Sequence, residues 1–420
     1  MPIMTVTMLE GQGLPVPVRL DADRWATRRV RRRVLAVVHT VTSGRRLLDT
    51  VRLLADDWRV QVFFTAAPDV FHCGVADFLA ELKGVVLPWS QAVQTVFDLA
   101  VAAGHGGLHE LHAPVVVLPH GAGHNKVVPG GPRGRAVAAP GVYGLSRQRL
   151  VRDGVLVPET IVLAHHDELE RLRRACPEAL PAAEVVGDPC HDRVVASGPA
   201  RALYRQALRT GAGERLVLVC STWGPGSLLA GGGRELIESL VTELPPGHRV
   251  AALLHPHVWH THSEWQVRNW FAGLGRRGLC VVDHRADWVG ALVAADFVVG
   301  DHGSVSLYAA MTGAPVLLAR LPDADVDPGS PLAELGTFAP RLRVGRPVLP
   351  QLTHAAAAYR PEPYARVAAR ITSEPGRFAR NMRALLYRKL RLRAPGPVPA
   401  ERPAGLPRVL TYDEPGSVVS

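Results

Sequence analysis

The chain places histidines where its β-favouring runs end. At VVLPHGAGHNK, residues 116–126, the four apolar residues 115–118 lead up to Pro119-His120-Gly121, and His124 and Lys126 follow within six positions. An imidazole titrates near neutrality and can take a proton from a hydroxyl as it attacks, whereas a lysine stays protonated unless it is desolvated. The same kind of junction recurs at His39-Thr40, His165-His166, Ser221-Thr222-Trp223, His255-Pro256-His257 and Asp301-His302-Gly303-Ser304. Any single one of the 18 histidines is more readily a surface or hydrogen-bonded residue than a catalyst. Their concentration at strand ends is what points to a site.

Three further segments have shapes suited to an anionic ligand. In VVGDHGSVSLYAAMTGAPVLLA (298–319) a strand ends at Asp301, a turn follows at Gly303, and a helix is expected to open near Ser304, a residue type that suits an N-cap. Backbone N–H groups at that opening, reached closely past Gly303, would hold a phosphate; an ordinary strand-turn-helix junction reads the same way. LLHPHVW (253–259) fixes His255, with His257 after it, at another strand end. CSTWGPGSLLAGGG (220–233) is a glycine-rich loop with neither the GxGxxG nor the GxxxxGK[ST] order, so it is not a dinucleotide fingerprint or a P-loop. It reads equally as a loop closing over a ligand and as a surface loop.

The elements that must position these residues alternate. VLAVVH (34–39), VQVFFT (60–65), GVVLP (84–88), VVVLP (115–119) and TIVLAHH (160–166) read as strands, with RRLLDTVRLLADD (45–57) a helix among them. After residue 197 the pattern restarts with RLVLVCS (215–221), RVAALLH (249–255), LCVVDH (279–284), DFVVGD (296–301) and PVLLA (315–319). Near-continuous apolar strands separated by helices predict parallel sheets covered on both faces, whose ligands bind at the strands' carboxyl ends. The expected division is an extension over 1–30, one doubly wound domain over 31–197 and a second over 198–375. A basic helix over 376–394 and a proline-rich, extended or disordered tail over 395–420 would follow.

Composition sets the outer bounds. At 420 residues two domains are expected, and no apolar run approaches the ~18 residues of a bilayer span. No secretory signal is read at the start of the chain, so a cytoplasmic location is expected. Five singly scattered cysteines, without CxxC spacing, argue against structural zinc and a disulfide framework. The formal charge is +10, yet 45 of the 48 basic residues are arginine, so charge alone does not choose between nucleotide, phosphate polymer and membrane surface. No recognition-helix or zinc-finger pattern is present, and no nucleic-acid partner is expected.

In order and spacing, residues 110–320 resemble the CDP-glycerol glycerophosphotransferase family and, more widely, glycosyltransferases of the GT-B architecture. The matching positions are Pro119-His120-Gly121, Gly187-Asp188-Pro189-Cys190-His191-Asp192, Ser221-Thr222-Trp223, His255-Pro256 and Asp301-His302-Gly303-Ser304. His302 and Gly303 depart from the tyrosine and serine of that family, and Tyr308 stands where many GT-B enzymes carry a ribose-binding acid. The resemblance implies a GT-B-like α/β fold, two doubly wound Rossmann-like domains facing across a cleft.

It also implies a cytoplasmic transferase moving a glycosyl or polyol-phosphate group from a nucleotide-activated donor to an acceptor hydroxyl, without a metal or other cofactor. His120 would be the general base, Gly121 and Gly123 would keep the acceptor path open, and His124 and Lys126 would bind acceptor phosphate or face solvent. Ser221, Thr222, Trp223, His255, His257, Asp301, His302, Gly303 and Ser304 would line the donor side, with His255 and the Gly303-Ser304 helix start on the diphosphate. A nucleotide-sugar 2-epimerase of the same architecture and a non-catalytic nucleotide- or sugar-binding protein are the rival readings. GRFARNMRALLYRKLRLR (376–393) is expected to be a helix crossing back to the first domain; its alternative is a surface helix in peripheral contact with anionic membrane or polymer.

Overall fold

A computed structural model describes residues 27–69, 71–127 and 141–412. The chain divides into two compact units. The first takes the residues up to Gly121, Gly144–Gly187 and Arg377–Ala400; the second takes Ala122–Tyr143, Asp188–Gly376 and the residues from Glu401.

The first unit is built on seven parallel strands: β1 (Arg32–Val38), β2 (Val60–Ala66), β3 (Val85–Leu87), β4 (Leu99–Ala102), β5 (Val115–Val117), β8 (Thr160–Leu163) and β9 (Ala183–Val185), with a small hairpin of β6 (Val151–Arg152) and β7 (Val155–Leu156) outside the sheet. Alternate residues of each strand feed opposite faces. Val34, Ala36, Leu99, Val101 and Val116 enter one apolar cluster, and Leu35, Val37, Ala100, Ala102 and Val115 enter the other. The strand order β3-β2-β1-β4-β5-β8-β9 reverses direction between β1 and β4. The helix Phe378–Lys389 lays Phe378, Met382, Leu385 and Leu386 against the first cluster, so its apolar face is core.

The second unit repeats the plan with β10 (Arg215–Ser221), β11 (His248–Leu254), β12 (Cys280–Val281), β13 (Phe297–Gly300) and β14 (Val316–Leu318), all parallel, in the order β12-β11-β10-β13-β14. Its reversal lies between β10 and β13, so the loops that leave these strands diverge there and open a crevice.

Two boundaries differ from the sequence expectation. The passage to the second unit lies at Gly187/Asp188 rather than after residue 197, because Asp188 caps the helix Pro189–Ser197, which packs in the second unit's core. The segment 401–412 is ordered on the second unit: Val409 bridges Val282, and Tyr204 donates its hydroxyl hydrogen to the Ala404 carbonyl at 2.8 Å. The expected extension over 1–30 falls mostly outside the described residues.

Candidate active site at the carboxyl ends of the second sheet

Strand β13 ends on Gly300, where a Cβ would stand 2.1 Å from the Ser306 Oγ and 2.8 Å from the Cys220 Sγ, so only glycine fits between the neighbouring elements. Asp301 follows at 1% exposure. Its Oδ2 accepts the backbone N–H groups of Thr222 at 2.9 Å and Leu228 at 2.8 Å, and its Oδ1 accepts that of Gly303 at 2.9 Å. One buried carboxylate therefore ties the loop after β10 to the loop after β13. Burial pushes the Asp301 carboxyl up, against the three N–H groups and the nearby Lys126 ammonium. Ser221 extends the tie, since its Oγ accepts the Leu229 N–H at 3.0 Å. The glycine-rich loop is thus pinned at Thr222, Leu228 and Leu229.

Beside this knot sits a set of nitrogen groups. His302 is 5% exposed, and its Nδ1 has no hydrogen-bond partner among the described residues. Burial first, then repulsion from Lys126 and Arg320, pushes its pKa down to about 4, so the ring is neutral at pH 7. Burial likewise lowers Lys126, while Asp301 and Asp325 oppose the shift. Gly226 brings the loop backbone close: a Cβ there would lie 3.3 Å from both the His302 Cε1 and the Asp325 Oδ2. On the next strand, His255 caps the helix Pro256–His262 by accepting the His257 N–H on its Nδ1 at 3.1 Å. Trp223 packs its ring against His257, centroids 4.4 Å apart, and His255 lies at 6.3 Å.

Several expectations change in detail. Ser304 is not the N-cap; Gly303 occupies that position without a side-chain cap, and the Ser304 Oγ accepts the Ala122 N–H at 3.2 Å. The helix it opens runs only Ser304–Tyr308 before tightening into a 3₁₀ turn, too short to act as a phosphate-holding dipole. His124 and Lys126, expected on the acceptor side, belong to the second unit, where Lys126 bridges Val326 and the Asn125 carbonyl accepts the Asp327 N–H at 2.9 Å. Tyr308, at the position of a ribose-binding acid in the resembled enzymes, is 1% exposed and donates to the Asp188 carboxylate at 2.8–2.9 Å.

Arg320 and Asp325 join the site unforeseen. Both follow β14, so the strand-end rule that found the others would have reached them. Asp325 belongs to the DxD spacing Asp323-Ala324-Asp325, but Asp323 pairs with Arg341 at 3.7 Å, and no group of three metal-ligating side chains forms among the described residues.

In the first unit His120 is exposed three residues beyond β5, and the carbonyl of Gly121 accepts from Arg46 at 2.7 Å. At that unit's own reversal point, His39 is 2% exposed and hydrogen-bonds the Gly106 carbonyl through Nε2 at 2.8 Å.

No family model matches the chain, and no curated protein matches it in sequence. Solved structures do. The wall teichoic acid polymerase TagF superposes with a TM-score of 0.56 at 12% identity over 86% of this chain and 89% of that one. The S. aureus MnaA–UDP co-structure gives 0.52 at 11% identity over 88% and 99%. The fold is that of the GT-B glycosyltransferases. A third structure, TagF soaked with CDPG, gives 0.56 at 11% identity over 86% and 89%. At such identities the likeness concerns architecture, and the residues must carry the chemistry.

Proposed function

We propose that the protein is a GT-B-type transferase that moves a glycosyl or polyol-phosphate group from a nucleotide-activated donor to an acceptor hydroxyl. The observation that carries this is the junction of β10 and β13, where Asp301 pins two loops while the neutral His302 keeps a buried nitrogen without a partner among the described residues, beside Lys126 and Arg320. Cationic and hydrogen-bonding groups at the reversal point of a parallel sheet suit a phosphate-bearing ligand. The solved neighbours bind ligands of the same class, UDP and CDPG.

In this reading each unit takes one half of the work. The second unit holds the donor: Lys126 and His302 offer positive charge and a hydrogen bond to phosphate oxygens, and Trp223 with His257 offers an aromatic surface. His120, in the loop after β5, takes the proton of the acceptor hydroxyl on a ring nitrogen as the oxygen bonds to the transferred carbon or phosphorus. The bond to the nucleotide's phosphate oxygen breaks, and that oxygen leaves with the electron pair, stabilised by the second unit's cations.

Melting curves with CDP, UDP, GDP, TDP and ADP test the donor half of this reading, because a ligand that binds only the folded state raises its melting temperature. At least one is expected to stabilise the wild type and to lose most of that effect with Lys126→Ala. If none stabilises it, the donor reading falls.

A further inference from the structure

At the end of the first sheet opposite His39 and His120, three chain segments meet. Arg31 and Arg32, entering β1, donate their N–H groups to the Arg59 carbonyl at 2.8 and 2.9 Å. The Arg32 Nε donates to the Leu390 carbonyl at 2.7 Å, and an Arg59 guanidinium nitrogen donates to the Arg393 carbonyl at 2.8 Å. Trp58 stands in the middle, 74% exposed, with the Arg28 guanidinium 5.7 Å over its ring. Around it Arg29, Arg31, Arg391 and Arg393 are exposed. Among the described residues the local acids are largely engaged: Asp57 holds Arg59 at 2.7 Å and Asp98 faces Arg32 at 3.6 Å, which leaves Asp56.

We propose that this face docks on the surface of an anionic lipid bilayer. A tryptophan left three-quarters exposed loses nothing by entering the headgroup region, where indole rings concentrate. Each arginine close to an anionic leaflet raises partitioning roughly fivefold, and the effect is screened by salt. A soluble polyanion would engage the guanidiniums and leave Trp58 without a role. The hydrogen bonds among the three segments fix the backbones that carry the arginines before contact, so only the exposed side chains need ordering. The site is not the one the basic helix suggested. That helix buries its apolar face, and its last turn instead leads into the Leu390–Arg393 rim of this patch. The patch faces away from the strands' carboxyl ends, so docking leaves the loops after β1 and β5 open.

The test is co-sedimentation of the full chain with phosphatidylcholine vesicles, pure or carrying about one-third phosphatidylglycerol, at ~0.1 M and ~0.5 M salt. Binding is expected to the anionic vesicles at low salt, at least ~10-fold stronger than to neutral ones. Combining Arg29→Glu, Arg31→Glu and Arg393→Glu is expected to lower it by ~100-fold or more, and Trp58→Ala by several-fold, with melting temperatures near wild type. Melting curves with nucleoside diphosphates should be unchanged in these variants. Absence of pelleting with either vesicle, equal pelleting with both, insensitivity to the triple substitution, or binding of soluble polyphosphate without vesicle binding would each overturn the proposal.

Discussion

His302 is the residue on which the donor reading turns. Its Nδ1 is buried and has no hydrogen-bond partner among the described residues, which costs free energy unless a ligand supplies the missing bond. His302→Phe is therefore expected to leave the fold at least as stable by thermal melting while weakening nucleoside diphosphate affinity by about 10-fold, the scale of one buried hydrogen bond. His120→Ala should act differently, with binding retained and turnover lowered at least ~10²-fold, as expected for a lost general base. Unchanged turnover would return the chain to the binding-protein reading.

Acid sensitivity also belongs to single residues. His284 stacks on Trp259 at 4.9 Å, and burial, followed by repulsion from Arg285 and His260, pushes it down to about 4, as burial does His302. An unfolded histidine takes its proton near pH 6.5, but these two resist it in the folded chain until about pH 4. Their stabilising contribution is thus complete above pH 6.5 and is lost as pH falls through that window, by on the order of 2 kcal/mol each. Melting temperatures measured from pH 7 to 4 should fall, and His284→Gln should flatten the slope. Much of this site was legible, because strand-end position picked out Asp301, His302 and His255 by type. What those residues do was not. That Asp301 receives backbone N–H groups, or that His255 spends its Nδ1 on a cap, depends on tertiary contacts that no local pattern encodes.

At the scale of elements, apolar runs rich in valine and leucine announced most of the strands, and the match at Arg215–Ser221 is residue for residue. The strand Leu99–Ala102 escaped because LAVA has weak β-propensity and owes its place to burial between β1 and β5. The helix after Gly303 was foreseen, but its length and capping were not, since Ser304 is held by Ala122, distant in sequence. Tyr308 shows what such an element does: from that short helix it fixes the cap residue Asp188 of the helix Pro189–Ser197, joining two parts of the second unit's core. Tyr308→Phe removes the one O–H shared between both oxygens of a buried carboxylate and should cost about 2 kcal/mol in denaturant unfolding, with m unchanged. A loss under ~0.5 kcal/mol would mean that water replaces the hydroxyl.

At the scale of the whole molecule, the two sheets were legible and the partition of the chain was not. The chain changes unit after residues 121, 143, 187, 376 and 400, so each unit is assembled from separated segments. Composition shifts lie near only the last of these changes, which falls inside the proline-rich stretch. That stretch has a structural task. The Arg408 carbonyl accepts the Asp283 N–H at 2.8 Å, and the Leu410 N–H donates to the Val281 carbonyl at 2.9 Å, so the segment covers the open edge of β12. Ala404 and Leu410 are buried there, and the Tyr412 ring lies where a Cβ on Gly275 would stand 2.2 Å from it. Ending the chain at residue 400 exposes this edge and the apolar groups beneath it. Burying one leucine stabilises by about 1.5–3 kcal/mol and each of these hydrogen bonds by about 1, so the truncated protein should lose roughly 4 kcal/mol or more. Because the loss falls on the second unit, nucleoside diphosphates should restore part of the melting temperature. Vesicle binding, which depends on the first unit, should persist at temperatures where the nucleotide response has gone. Simultaneous loss of both would mean that the units unfold as one.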